Sequence, residues 1–335
     1  MRIGRGCRRV PGSSPVVSTL VAVTVLVGAV GCDAASSRNG APAAAGRRSA
    51  ATAMAARATA PASTTTSSTT TTTPPVPVDQ AGWTIVATSG NTIVSDTRSV
   101  TTATGDTVTL VRFRAGSYRL DLHLGGSDPP SAGSAVPASA GNAISQAERP
   151  QLLGAFNGGF KTSTGAGGFE VGGRVFTPLA AGAASLVIDA GGTVHVGVWG
   201  QDVPFAGEQV SSVRQNLRPL IYNGQPSPVL GDIAAWGATL GGVARVARSA
   251  VGLDSAGDLV YAGGMHILPV DLAEALGAAG VRDAMELDIN PYWVQADVAA
   301  YPGGPLEAAV PGQERSAGQY LSGWTRDFIA VLAAP

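Results

Sequence analysis

The chain has 335 residues, 22 Lys and Arg against 23 Asp and Glu, and two cysteines. A length of this kind allows one or two domains, and a net charge of −1 with no basic patch beyond the first nine residues argues against a nucleic-acid binder. Cys7 and Cys32 both fall within the first 32 residues, so the remainder has neither disulfide nor thiolate chemistry.

Met1 to Arg9 carries Arg2, Arg5, Arg8 and Arg9 with no acid, and Val16 to Val30 is apolar apart from Ser18, Thr19, Thr24 and Gly28. A positive segment followed by a short apolar run is the pattern of an export signal and is short for a spanning helix. Residues 1–31 are therefore expected to be a signal peptide. Gly28-Ala29-Val30-Gly31-Cys32 resembles a bacterial lipobox, which implies lipidation of Cys32. Ala29 stands where Leu or Val is usual, so ordinary signal-peptide cleavage, giving a secreted chain, is the alternative. Removing the four signal arginines leaves 18 basic against 23 acidic residues, a balance of −5. Residues 32–78 are rich in Ala, Ser and Thr and end in a Thr- and Pro-rich run, TTTSSTTTTTPPVPV. Too little apolar surface is present to offset chain entropy, so a disordered tether is expected. The expected setting is extracytoplasmic, at the membrane through a lipid anchor.

Residues 79–335 are Gly-rich with pervasive apolar–polar alternation. Residues 107–113 and 118–123 read as a hairpin about Ala115-Gly116-Ser117; 186–188 and 194–198 as a second; 250–253 and 259–261 as a third. Asn142 to Arg149 is a candidate helix. Val270 to Ala279 is another, with Leu272, Ala275, Leu276 and Ala279 on one face and Gly280 as its stop. The expected fold is a single α+β domain, a mostly antiparallel mixed β-sheet core with a few helices.

Ala284-Met285-Glu286-Leu287-Asp288-Ile289-Asn290 reads as a strand with Met285, Leu287 and Ile289 on one face. Glu286, Asp288 and Asn290 then share the other. Two neighbouring carboxylates set up a raised-pKa acid beside a charged partner, or simply form a solvated face. Asn157-Gly158-Gly159 offers a turn whose N–H groups could meet an anion. Arg248, entering an apolar strand, could pair with a carboxylate or clamp a phosphate. His266, near the start of the helix expected from Val270, is a candidate proton shuttle or a local hydrogen-bonder. Trp236, Trp293 and Trp324 could stack on sugar rings or pack in the core. His123, His195 and His266 have no zinc-site spacing.

Together these segments resemble the phosphodiester glycosidase family, which includes the lysosomal uncovering enzyme. The matching residues are Asn157 to Phe160, Arg248 to Gly252, Glu286 to Tyr292, and Arg326-Asp327-Phe328. Where the family reads Asn-Leu-Asp-Gly-Gly-Gly-Ser, this chain reads Glu286-Leu287-Asp288-Ile289-Asn290-Pro291-Tyr292. An anion-cradling glycine loop is replaced by a bulkier one in which Pro291 lacks an N–H. The resemblance implies cleavage of a sugar 1-phosphodiester, with a glycosyl phosphodiester or cell-wall glycan as partner. It implies Asp288 as principal carboxylate, Glu286 as acid/base partner, Arg248 as phosphate clamp, and Asn157 with Gly158 and Gly159 as oxyanion donors. Asn290 and His266 would contact substrate. No organic cofactor is implied, and a need for a divalent cation is left open. The alternative is a glycan-binding or envelope-scaffold lipoprotein on the same fold.

Overall fold

The computed structural model describes residues 82–237 and 242–335, all within one compact unit spanning Thr71–Pro335. The signal peptide, Cys32 and the tether lie outside the described residues.

In chain order the strands are β1 (Thr84–Ser89), β2 (Thr92–Thr101), β3 (Thr107–Phe113), β4 (Tyr118–His123), β5 (Leu152–Asn157), β6 (Phe169–Val171), β7 (Arg174–Thr177), β8 (Ala184–Asp189), β9 (Val194–Val198), β10 (Val210–Gln215), β11 (Pro219–Tyr222), β12 (Gln225–Pro226), β13 (Val246–Asp254) and β14 (Leu259–Ile267). Helix α1 (Pro269–Ala278) follows, then β15 (Val281–Glu286), β16 (Ala296–Ala299), β17 (Leu306–Ala308) and β18 (Phe328–Ala333). The strands form three sheets, in the orders β1-β2-β3-β14-β13-β15-β11-β12, β7-β6-β10-β8-β9 and β17-β16-β5-β18-β4. The ladders between these strands are antiparallel.

This corrects the expected α+β class. Among the described residues α1 is the one α-helix, and the rest is sheet, turns and short 3₁₀ segments. The candidate helix at Asn142–Arg149 is turn and coil, with a 3₁₀ turn starting at Arg149. Helix α1 forms where its apolar stripe placed it, burying Leu272, Ala275 and Leu276. Asp271 accepts the Leu268 N–H at its start, and Gly280 follows with φ +84°.

The β8–β9 and β13–β14 hairpins pair as expected. Strands β3 and β4 do not. β3 pairs with β2 and β14 in the large sheet, and β4 pairs with β18 in another. The Ala115-Gly116-Ser117 turn thus carries the chain from one sheet to the next.

The main core lies between the sheets. It joins Val111, Tyr261 and Met285 of the large sheet, Phe156 and Ile329 of the β5–β18 sheet, and Phe169 and Leu186 of the small sheet. A second cluster packs α1, Trp236 and Leu220 on the other face of the large sheet, against Val108, Ala250, Val260 and Ala284. The large sheet is therefore covered on both faces around β13–β15, which governs the fate of the acids in β15.

Candidate functional site

Asp288 sits just past the end of β15, where the chain leaves regular pairing but stays fastened to β13. Ser249 N–H donates to the Asp288 carbonyl (3.0 Å), Leu287 N–H to the Ser249 carbonyl (2.7 Å), and Asp288 N–H to Ser249 Oγ (3.2 Å). Asn216, just after β10, donates to the carbonyls of Glu286 and Leu287 (2.9 and 2.7 Å). The backbone carrying Asp288 is thus held by two sheets. Its Oδ1 accepts the N–H groups of Ile289 (2.8 Å) and Asn290 (3.0 Å), fixing the carboxylate over the turn.

Asp288 Oδ2 lies 3.4 Å from Arg326 Nη2. The same nitrogen donates to the Gly159 carbonyl (2.7 Å), and Arg326 Nε stands 3.4 Å from Asp128 Oδ2. The guanidinium lies 5.3 Å from the centre of the Trp293 ring, within cation–π range. Asp288 and Arg326 open together into a cavity of about 550 Å³, also lined by Phe160, Lys161, Leu217, Gly237, Ile289, Asn290 and Trp293. Burial is the largest influence on Asp288 and raises its pKa to about 6; Arg326 and the two turn N–H groups oppose it, while Asp327 adds to it. A carboxyl shifted toward neutrality suits general acid–base work.

Arg326 is the cation beside Asp288, a role the sequence reading gave to Arg248. Arg248 is wholly buried and donates through Nη1 to Glu286 Oε1 (2.7 Å) and to the Trp236 carbonyl (3.1 Å). Glu286 is wholly buried as well, because its side of β15 is the side roofed by Trp236 and α1. Burial pushes its pKa up to about 8 against the pull of Arg248. Neither residue lines the cavity, so the shared solvent-side face expected for Glu286, Asp288 and Asn290 does not exist. Asp288 and Asn290 reach the cavity because the strand ends between them and Glu286.

The Asn157-Gly158-Gly159 turn is also occupied. Asn157 Nδ2 donates to the Gly158 carbonyl and to Ser249 Oγ, and Oδ1 accepts from Tyr261 and from the Gln295 N–H. Gly158 N–H donates to the Asp327 carbonyl (3.0 Å). Of the expected oxyanion donors, the Asn157 amide and the Gly158 N–H are thus spent on the fold. The glycines matter for close approach: a Cβ at Gly158 would meet the Asp327 carboxylate, and one at Gly159 would crowd the Arg214 guanidinium at 3.0 Å. Arg214 and Asp327 form a buried two-bond pair (2.7 and 3.3 Å) that ties the small sheet to the start of β18.

His266 is exposed on β14 and outside the cavity. Trp236 and Trp324 are buried in the core, whereas Trp293 lines the cavity. His195, which has no metal-like spacing in sequence, does approach Asp189 and Glu208, with one ligand atom from each within 4.8 Å of the others. None of these three lines the cavity at Asp288. Among the described residues no helix is long and apolar enough to cross a membrane.

No protein-family model matches the chain, and no curated protein matches it. Among solved structures it is similar to the catalytic domain of zebrafish N-acetylglucosamine-1-phosphodiester alpha-N-acetylglucosaminidase, auto-inhibited by its pro-peptide. That match has 15% identity and a TM-score of 0.46 and covers 76% of this chain and 88% of that one. It is also similar to a hypothetical protein from Synechocystis, with 12% identity and a TM-score of 0.42, covering 72% of this chain and 62% of the other.

Proposed function

We propose that the cavity at Asp288 is the active site of a hydrolase that cleaves a glycosyl phosphodiester. We further propose that the chain works outside the cytoplasm on a cell-envelope glycopolymer, anchored through Cys32. The observation that carries the reading is one titratable carboxyl, shifted to about 6, opening into a cavity beside a guanidinium and an indole. The motif resemblance around Asn157, Arg248, Asp288 and Arg326 supports the same substrate class.

Hydrolysis of an ordinary glycoside uses two carboxyl groups, one of them to protonate an alkoxide leaving group. Among the described residues Asp288 is the one carboxylate lining this cavity. A single base suffices when the leaving group is a phosphomonoester, whose second pKa is about 6 and which departs without a proton. Ionised Asp288 takes a proton from water as that water attacks the anomeric carbon. The bond from that carbon to the phosphate oxygen breaks, and its electron pair leaves with the phosphate. Arg326 faces the charge that develops there, and the Trp293 face packs against the sugar ring. The products are the free sugar and a phosphomonoester.

A second reading, a glycan-binding envelope lipoprotein, draws on the Asn157 amide and the Gly158 N–H being engaged within the fold rather than free for an anion. The full chain assayed on a panel of sugar 1-phosphodiesters separates the two. Turnover is expected, with Asp288→Asn lowering kcat about 10²- to 10⁴-fold, the usual contribution of a positioned base, with no loss of melting temperature. A wild type that turns over none of the panel, yet is retained on a glycan column, would favour the binding protein.

A further inference from the structure

Lys161 is the one lysine among the chain's 335 residues, where the other basic side chains are arginines. It is exposed and lines the cavity that Asp288 and Arg326 open into. Among the described residues its ammonium has no ion-pair partner. Arg326 spends Nη2 on Gly159 and Asp288 and turns Nε toward Asp128, and its Nη1 makes no hydrogen bond among the described residues. Asp128 ties the two cations to one frame. Its Oδ1 accepts from Thr162 N–H (3.3 Å) and Thr162 Oγ1 (2.5 Å), next to Lys161, while its Oδ2 faces Arg326.

An arginine fork and a lysine ammonium differ in what they recognise. The first fixes orientation through its planar donors, and the second acts as a compact point charge on a flexible stem. A phosphate group between them would be oriented by Arg326 and would feel Lys161 chiefly through charge. We infer that Lys161 and Arg326 form a phosphate site that holds a doubly charged phosphomonoester more tightly than a singly charged diester. The inference deepens the hydrolase reading: if that reading stands, the phosphomonoester product competes with substrate for this site. One more unit charge about 5 Å from an ammonium, at the dielectric of water, is worth a factor of about four in affinity. Added salt reduces it.

The sole lysine makes the test selective. Reductive ¹³C-methylation of the full chain labels Lys161 and the N-terminal amine, and Lys161→Arg identifies the lysine signal. Methyl phosphate and dimethyl phosphate are titrated at pH 7.5 and fixed ionic strength. The Lys161 resonance should shift saturably with both, with a midpoint about fourfold lower for methyl phosphate. That preference should vanish below about pH 6, where methyl phosphate loses its second charge; Asp288, beside Arg326, takes up its proton over the same range, which favours both probes alike once each carries a single charge. Arg326→Gln should weaken both titrations. A Lys161 signal that does not move, or equal midpoints for the two probes at pH 7.5, would overturn the inference. The readout does not depend on turnover. A chain that hydrolyses glycosyl phosphodiesters while Lys161 stays silent keeps the hydrolase and loses the phosphate site. A chain that binds methyl phosphate as described but turns nothing over keeps the site and loses the hydrolase.

Discussion

Replacing Arg326 with glutamine removes the cation nearest Asp288 and should move the acid limb of the pH–rate profile. The limb reports ionisation of Asp288, so in the wild type kcat/KM should rise with pH through about 6. Arg326 Nη2 lies 3.4 Å from Oδ2. At that distance a unit charge is worth about 1.2 kcal/mol at the dielectric of water and about 5 kcal/mol at an effective value of 20. At 1.36 kcal/mol per unit these limits correspond to roughly 1 and 3.5 pKa units. The cavity admits solvent and Asp288 keeps two backbone N–H partners, so the lower part of that range applies. The limb should move up by about 1 to 2 units. Arg326→Lys, which keeps the charge but not the fork, should restore much of the shift. The assay is a pH–rate series on a chromogenic glycosyl phosphodiester, with a melting curve for each variant. A limb that stays in place or moves to lower pH in a folded Arg326→Gln protein would refute the assignment of Arg326 as the partner of Asp288.

Asn157→Ala should cost about 2 to 4 kcal/mol of stability, because it strands the buried partners Tyr261, Ser249 and the Gln295 N–H. A variant that melts like the wild type and loses only kcat would return Asn157 to the chemistry. Stability should also fall as pH rises from about 5 to 8. Glu286, Asp288 and Asp297 have folded pKa values raised to about 8, 6 and 6, so the folded state binds more protons than the unfolded one across that window. Each group removes up to about 1.4 kcal/mol per pH unit between its unfolded and folded values. Thermal melts at pH 5.5 and 8 check the sign, and a higher Tm at pH 8 would contradict it.

The elements legible in the sequence were those whose signals are local. The β8–β9 and β13–β14 hairpins have their turns and partners adjacent in the chain, and α1 shows its apolar stripe within ten residues. The supposed β3–β4 hairpin looks the same locally, but each strand has a better partner far along the chain in β14 or β18. Alternation in β15 correctly separated Met285 from Glu286 and could not say what covers the second face. That depends on α1 and Trp236 packing there. A strand buried on both sides makes an alternating acid a core residue, which is why Glu286 needs Arg248. The pairing of Asp288 with Arg326 spans 38 residues. It was hidden because the motif at Arg248 already offered an arginine, and because only folding shows that Glu286 has claimed it.

The position of Arg326 has a bearing on how the chain becomes competent. It stands two residues before β18, and β18 is an interior strand, flanked by β5 and β4. Synthesis and any vectorial transport deliver this stretch after every other piece of the cavity. Until Phe328–Ala333 docks between its neighbours, Arg326 has no fixed place beside Asp288 and Arg214 lacks Asp327. The pocket is therefore incomplete until β18 has docked, however much of the remaining sheet has already formed.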